Sequence, residues 1–77
     1  MKWSNKWGRV WTTLNGTTRA RAYYWIRQDA QGVYRVGYYA FNREIECQNI
    51  VFRSLGEAKS YLKNMDDSAL VIEAVNA

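Results

Sequence analysis

The chain has 77 residues, of which 48% are hydrophobic, and its formal net charge is +4. A chain of this length buries one modest core, so we expect a single small domain over residues 1–77 and no second domain. The single cysteine, Cys47, excludes an internal disulfide and the disulfide-stabilised secreted scaffolds, which favours a cytoplasmic location.

The N-terminal third is predicted to form a β-hairpin. Its first residues are basic but contain no uninterrupted apolar run, so neither a signal peptide nor a membrane span is expected. Aromatic and β-branched residues from Trp7 to Leu14 predict a strand, with Trp7 and Trp11 in the core and Trp3 exposed or in a contact surface. Asn15-Gly16 then predicts a tight turn, and a second strand follows from about Thr18 to Gln28.

Two further strands are predicted after this hairpin. Asp29-Ala30-Gln31-Gly32 is typical of a loop in which Gly32 adopts a left-handed conformation, and residues Val33 to Phe41 predict the third strand. Asn42-Arg43-Glu44 predicts a turn into a fourth strand of roughly Ile45 to Phe52. The apolar residues of that strand change parity midway, which predicts a β-bulge near Gln48-Asn49.

A helix is predicted next, because Ser54 and Glu57 have capping-box spacing. One face of it has the i, i+3, i+4, i+7 spacing of a core-facing stripe, formed by Ala58, Tyr61, Leu62 and Met65. The helix is expected to end around Asp66-Asp67, and the β-branched segment from Ala69 to Val75 favours a last strand. The predicted fold is α+β: an antiparallel meander of three to four strands, a possible extra C-terminal strand, and one α-helix on one face.

The chain lacks the residues of the common catalytic and metal sites. It has no histidine, which excludes Ser-His and Cys-His nucleophile pairs and imidazole-bound zinc. Cys47 is interpreted as a small buried residue of the fourth strand, and Glu44 with Glu46 as a solvated strand face. We therefore expect a protein that is not an enzyme, with no catalytic residue, metal or cofactor.

Positive charge and aromatic rings are concentrated in the first part of the chain. Residues 1–43 hold eight Lys and Arg against one acidic residue, and they contain all four tryptophans and five of six tyrosines. Because strand side chains alternate, the second strand should present one solvent-facing row, with two more residues from the third strand beside it. These candidate binding residues are Arg19, Arg21, Tyr23, Trp25, Arg27, Arg35 and Tyr39.

Such a face suits DNA or RNA, because Arg neutralises phosphates and exposed rings stack on bases. The alternative is a small adaptor or inhibitor of the phage or mobile-element type, which binds a host or regulatory protein through the same residues. A structural interpretation also stays open, since Arg over Tyr or Trp stabilises sheets by cation–π pairing. In outline, strands followed by Phe52-Arg53-Ser54-Leu55-Gly56-Glu57-Ala58 and a short helix resemble the DNA-binding domains of plant ethylene-response factors and phage-type integrase N-termini. No family motif is matched residue by residue, so this resemblance in shape transfers no functional residue.

Overall fold

In the computed structural model the chain forms a four-stranded antiparallel sheet with one helix packed on one face, which confirms the predicted α+β meander. The structure describes residues 2–5, 8–13, 22–40 and 42–76, with side chains as far as residue 67. The sheet order follows the chain: β1 (Val10–Thr12), β2 (Ala22–Gln28), β3 (Tyr34–Ala40) and β4 (Arg43–Phe52), followed by α1 (Leu55–Asn76). The predicted Asn15-Gly16 turn lies outside the described residues.

The loop between β2 and β3 is held by Asp29. Its Oδ1 accepts hydrogen bonds from the backbone N–H groups of Gln31 at 2.8 Å and Val33 at 3.2 Å. Gly32 has φ +86°, the left-handed conformation that glycine adopts without a Cβ penalty, as predicted. The loop fixes the register of the hairpin, in which Tyr23 faces Tyr39 and Arg27 faces Arg35.

The parity change predicted in the fourth strand is present. From Arg35 to Gly37 β3 advances two residues, whereas their partners on β4 advance five, from Val51 back to Glu46. Asn49 lies in this irregularity with φ 63°, a conformation that Asn tolerates better than most residues. The extra residues let Ile45 and Ile50 both occupy the helix side of the strand, and Ile50 packs against the core.

The core lies between the sheet and the helix. Ile26 and Val36 from the two central strands meet Ala58 and Leu62 from α1, and all four are fully buried. Tyr61 and Met65 pack against this cluster, which confirms the predicted helix face. Trp11 packs there too, as predicted, whereas Trp7 lies outside the described residues.

Trp3 is placed differently from the prediction. It is partly buried against the core, because Ser4 exchanges two backbone hydrogen bonds with Thr12, of 2.8 and 2.9 Å. These bonds lay the N-terminal segment along β1 as an isolated antiparallel bridge. The large apolar area of an indole ring favours such burial even close to a chain end.

The start of the helix is as predicted, but its end is not. Ser54 Oγ accepts a 3.2 Å hydrogen bond from the Glu57 N–H, which caps the first turn. The helix continues through Asp66 and Asp67 to Asn76, so the predicted stop and the predicted last strand are both wrong. Extending an existing helix needs no new nucleus, and the alanines and leucine after Asp67 have high helix propensity, which outweighs the small penalty of the β-branched residues.

A candidate binding face on the sheet

The face of the sheet turned away from the helix, the outer face, carries most of the predicted site. Tyr24 and Ile26 pack toward the helix, so the alternating residues of β2 project to the opposite side. Arg19 and Arg21 lie outside the described residues. Across β2, β3 and β4 the outer face has three rows of facing residues: Tyr23, Tyr39 and Glu44; Trp25, Gly37 and Glu46; Arg27, Arg35 and Val51.

Trp25 is on the predicted side of the sheet, but it is buried rather than exposed. Only 2% of its surface is accessible, because it lies over Gly37, whose missing side chain leaves room for the indole. The guanidinium carbon of Arg27 sits 4.3 Å from the centre of the Trp25 ring. The indole N–H has no hydrogen-bond acceptor among the described residues. Trp25 therefore supports the outer face from below and is not a free stacking ring.

The two described arginines of the outer face are both paired with carboxylates. Arg27 pairs with Glu44, and Arg35 Nε lies 3.6 Å from Asp29 Oδ2. The arginines face each other across β2 and β3, so each carboxylate offsets a repulsion between like charges. The side chains of both arginines are about half exposed, so the pairs add little stability. They make the described outer face close to neutral in charge.

Tyr23 and Tyr39 form a stacked pair on the outer face. Their ring centres are 5.2 Å apart and their planes differ by 14°. Both side chains are half-buried, and Glu44 faces Tyr39 from the next strand. Two rings that hold each other in place lose little conformational freedom when a partner packs on them.

Tyr24 and Tyr38 face each other on the helix side of the same two strands, β2 and β3. The Tyr24 hydroxyl donates a 2.9 Å hydrogen bond to Asp66 Oδ1 of α1, which joins the sheet to the helix. Burial, this hydrogen bond and the Asp66 charge raise the pKa of Tyr24 to about 12. These helix-side tyrosines were not among the predicted site residues. The doublets Tyr23-Tyr24 and Tyr38-Tyr39 were their signal, because a doublet in a strand places one ring on each face.

Tyr24→Phe is expected to make the unfolding free energy less sensitive to alkaline pH. The folded pKa of Tyr24 lies above the unfolded value near 10, so its contribution is present below pH 10 and is lost as the pH rises toward 12. We expect the wild type to lose on the order of 1 kcal/mol more than Tyr24→Phe between pH 9 and pH 11.5, after allowance for screening by water. Urea unfolding of both proteins at the two pH values measures this, and equal losses would contradict the assigned contact.

The ionisable side chains of β4 include a half-buried thiol and a carboxylate paired with an arginine. Cys47 is half-buried in β4, and burial together with Glu46 raises its thiol pKa, which disfavours the reactive thiolate. Glu44 is engaged with Arg27. Within residues 2–5, 8–13, 22–40 and 42–76, no group of three or more metal-ligating side chains is placed to hold an ion, and α1 is not long and apolar enough to cross a membrane.

Comparison of the chain with protein-family models, with curated proteins and with solved structures gave no match. The function is therefore inferred from the side chains of the surface alone.

Proposed function

We propose that this domain is a non-enzymatic module that binds another protein through the outer face. The observation that supports this most is the pairing of both described arginines with carboxylates above a buried Trp25. A face built to hold phosphates would keep its cations free, whereas a nearly neutral face of Arg and Tyr side chains resembles the centres of protein interfaces.

The details of the outer face fit this role. Arg27 is held by the Trp25 ring and by Glu44, so little of its side-chain freedom remains to be lost on binding. Val51 contributes apolar surface beside Arg35 and is 49% exposed. Tyr23 and Tyr39 supply a rigid aromatic pair at the other end of the face. Aromatic and arginine anchors are typical of the few residues that carry most of the binding energy in a protein interface.

Nucleic acid is the second candidate, and the charge distribution of the chain favours it. Residues 1–43 contain eight Lys and Arg against one acidic residue, and Arg19 and Arg21 are expected on the outer face by alternation. Against it, Glu44 and Glu46 share the described face with Arg27 and Arg35, and Trp25 is buried and unable to stack on a base. Carboxylates beside a phosphate-binding arginine repel the phosphate and weaken the electrostatic attraction.

Peptide selection together with oligonucleotide titration separates the two candidates. The purified domain is used to select binders from a displayed library of random peptides, and it is titrated with 20-nucleotide DNA and RNA, single- and double-stranded, at 50 and 200 mM salt. We expect selected peptides that bind with a shallow salt response, because few counterions are released. For nucleic acid we expect weak binding that is lost at the higher salt.

Tyr39→Ala tests the location of the peptide site, since it removes an aromatic anchor from the outer face. Asn64→Ala, an exposed position on the helix, is the control. We expect Tyr39→Ala to weaken the selected peptides at least tenfold, about 1.4 kcal/mol, and the control to change nothing. If oligonucleotides bind tightly at 200 mM salt and no peptide is selected, the partner is nucleic acid and the proposed protein-binding function is wrong.

A further inference from the structure

A cleft of about 430 Å³ opens where the β2–β3 pair ends, at Ala22 and its partner Ala40. The cleft is lined by residues of both sheet faces. Its volume is within the range of about 300–1,000 Å³ that is usual for ligand sites. The lining includes four tyrosines and two helix residues: Tyr23, Tyr24, Tyr38, Tyr39, Met65 and Asp66.

Asp66 gives this tyrosine cleft a negative charge. Its carboxylate is partly buried and accepts the hydrogen bond from the Tyr24 hydroxyl. In the part of the chain that the structure describes, no Lys or Arg nitrogen lies within 4.0 Å of it. Burial is the largest cause of the raised pKa of Tyr24, and the hydrogen bond and charge of Asp66 raise it further, so this charge acts on the lining of the cleft. A carboxylate in this position has a hydrogen-bond donor but no described cationic partner.

We propose that the tyrosine cleft binds an alkylammonium group, the side chain of a lysine on the protein partner. That the cation is a lysine of a protein partner rests on the proposed protein-binding function. That the cleft binds a cation rests only on the residues that line it. The faces of aromatic rings carry negative charge density and attract cations, and the attraction increases when water is excluded. Asp66 adds a direct ionic partner and repels phosphate and carboxylate ligands. The apolar ring surfaces and Met65 suit the methylene chain that carries a lysine ammonium.

Titration of the isotope-labelled protein, followed by NMR, tests the ligand chemistry. The probe is an acetylated, amidated pentapeptide with one lysine between glycines, and its control is the same peptide with an Nε-acetylated, neutral lysine. Choline and its uncharged isostere 3,3-dimethylbutan-1-ol form a second pair, which tests a free small cation. We expect the lysine peptide to shift the amide signals of Tyr24, Tyr38 and Asp66 in a saturable way. The two neutral probes should leave them unchanged.

Asp66→Asn and Asp67→Asn form a matched pair of variants. Both remove one negative charge from adjacent helix positions, but Asp67 is exposed and does not line the cleft. Asn at position 66 keeps an oxygen that accepts the Tyr24 hydrogen bond, so the fold should be preserved. We expect Asp66→Asn to weaken the lysine peptide about tenfold and Asp67→Asn to change its affinity less than twofold.

Four outcomes would overturn the inference. Equal binding of the neutral peptide would show that charge is not recognised, and binding of choline without the lysine peptide would remove the lysine as source. If the lysine peptide binds only after Arg19 and Arg21 are replaced by Ala, the cleft serves the chain's own arginines and not a lysine of the partner. Failure of all cationic probes, while selected peptides still bind the outer face, would reject the cleft and leave the proposed function in place.

Discussion

Replacing Leu62 by Ala is expected to lower the free energy of unfolding by about 2–5 kcal/mol. Leu62 is fully buried and lies where α1 meets the two central strands, beside Ile26 and Val36. Truncation removes its burial and leaves a cavity that a small core cannot close. Because domains are stable by only about 5–15 kcal/mol, and small ones by less, the variant should be close to unfolding at physiological temperature.

Urea unfolding monitored by tryptophan fluorescence measures this effect. Lys63→Ala is the control, since it changes the next residue of the same helix at an exposed position and should alter stability by no more than about 0.5 kcal/mol. Unfolding midpoints of Leu62→Ala and Lys63→Ala that coincide with the wild type would show that the helix packs on the sheet through a different face.

Gly37→Ala is expected to destabilise the fold by about 1–3 kcal/mol or more. A Cβ at this position would overlap the Trp25 indole and the backbone oxygen of Ile45, so either the ring must leave its place or the two strands must separate. The buried indole should then become accessible, which a red shift of its fluorescence and faster quenching by acrylamide would report.

Gly56→Ala is the matched control for this substitution. Gly56 lies in the first turn of α1, and an added Cβ there meets nothing within 4 Å. Alanine is the better helix former, so the control should be neutral or stabilising by up to about 1 kcal/mol. If Gly37→Ala proves as stable as Gly56→Ala, Trp25 does not lie over Gly37 and the arrangement of the outer face is wrong.

Periodicity predicted the side of the sheet on which each strand residue lies, but not its depth. Alternation placed Tyr23, Trp25 and Arg27 opposite the helix, and the structure agrees. The burial of Trp25 depends on Gly37, which is twelve residues away along the chain and becomes its neighbour only once the strands are in register. Pairing of Arg35 with Asp29 likewise depends on the closure of the hairpin loop.

The C-terminal segment shows a different limit of prediction. Residues 69–75 are mostly apolar, and a short apolar run without clear periodicity fits a strand or a helix equally well. The β-branched residues predicted a strand. In the structure they instead form the last turns of α1, which begins at Leu55. Local propensity is a weak guide when an adjacent element is already formed.

The most direct measurement of the proposed binding role compares two double variants that remove equal charge from opposite sides of the molecule. Arg27→Ala with Arg35→Ala removes two cations from the outer face, whereas Lys59→Ala with Lys63→Ala removes two from the helix. Affinities for a selected peptide and for a 20-nucleotide single strand are measured by calorimetry after circular dichroism has established that both variants are folded. We predict that only the arginine pair weakens the peptide, at least tenfold, while both pairs weaken the oligonucleotide alike. Equal effects of the two pairs on the peptide would contradict a specific binding site on the outer face.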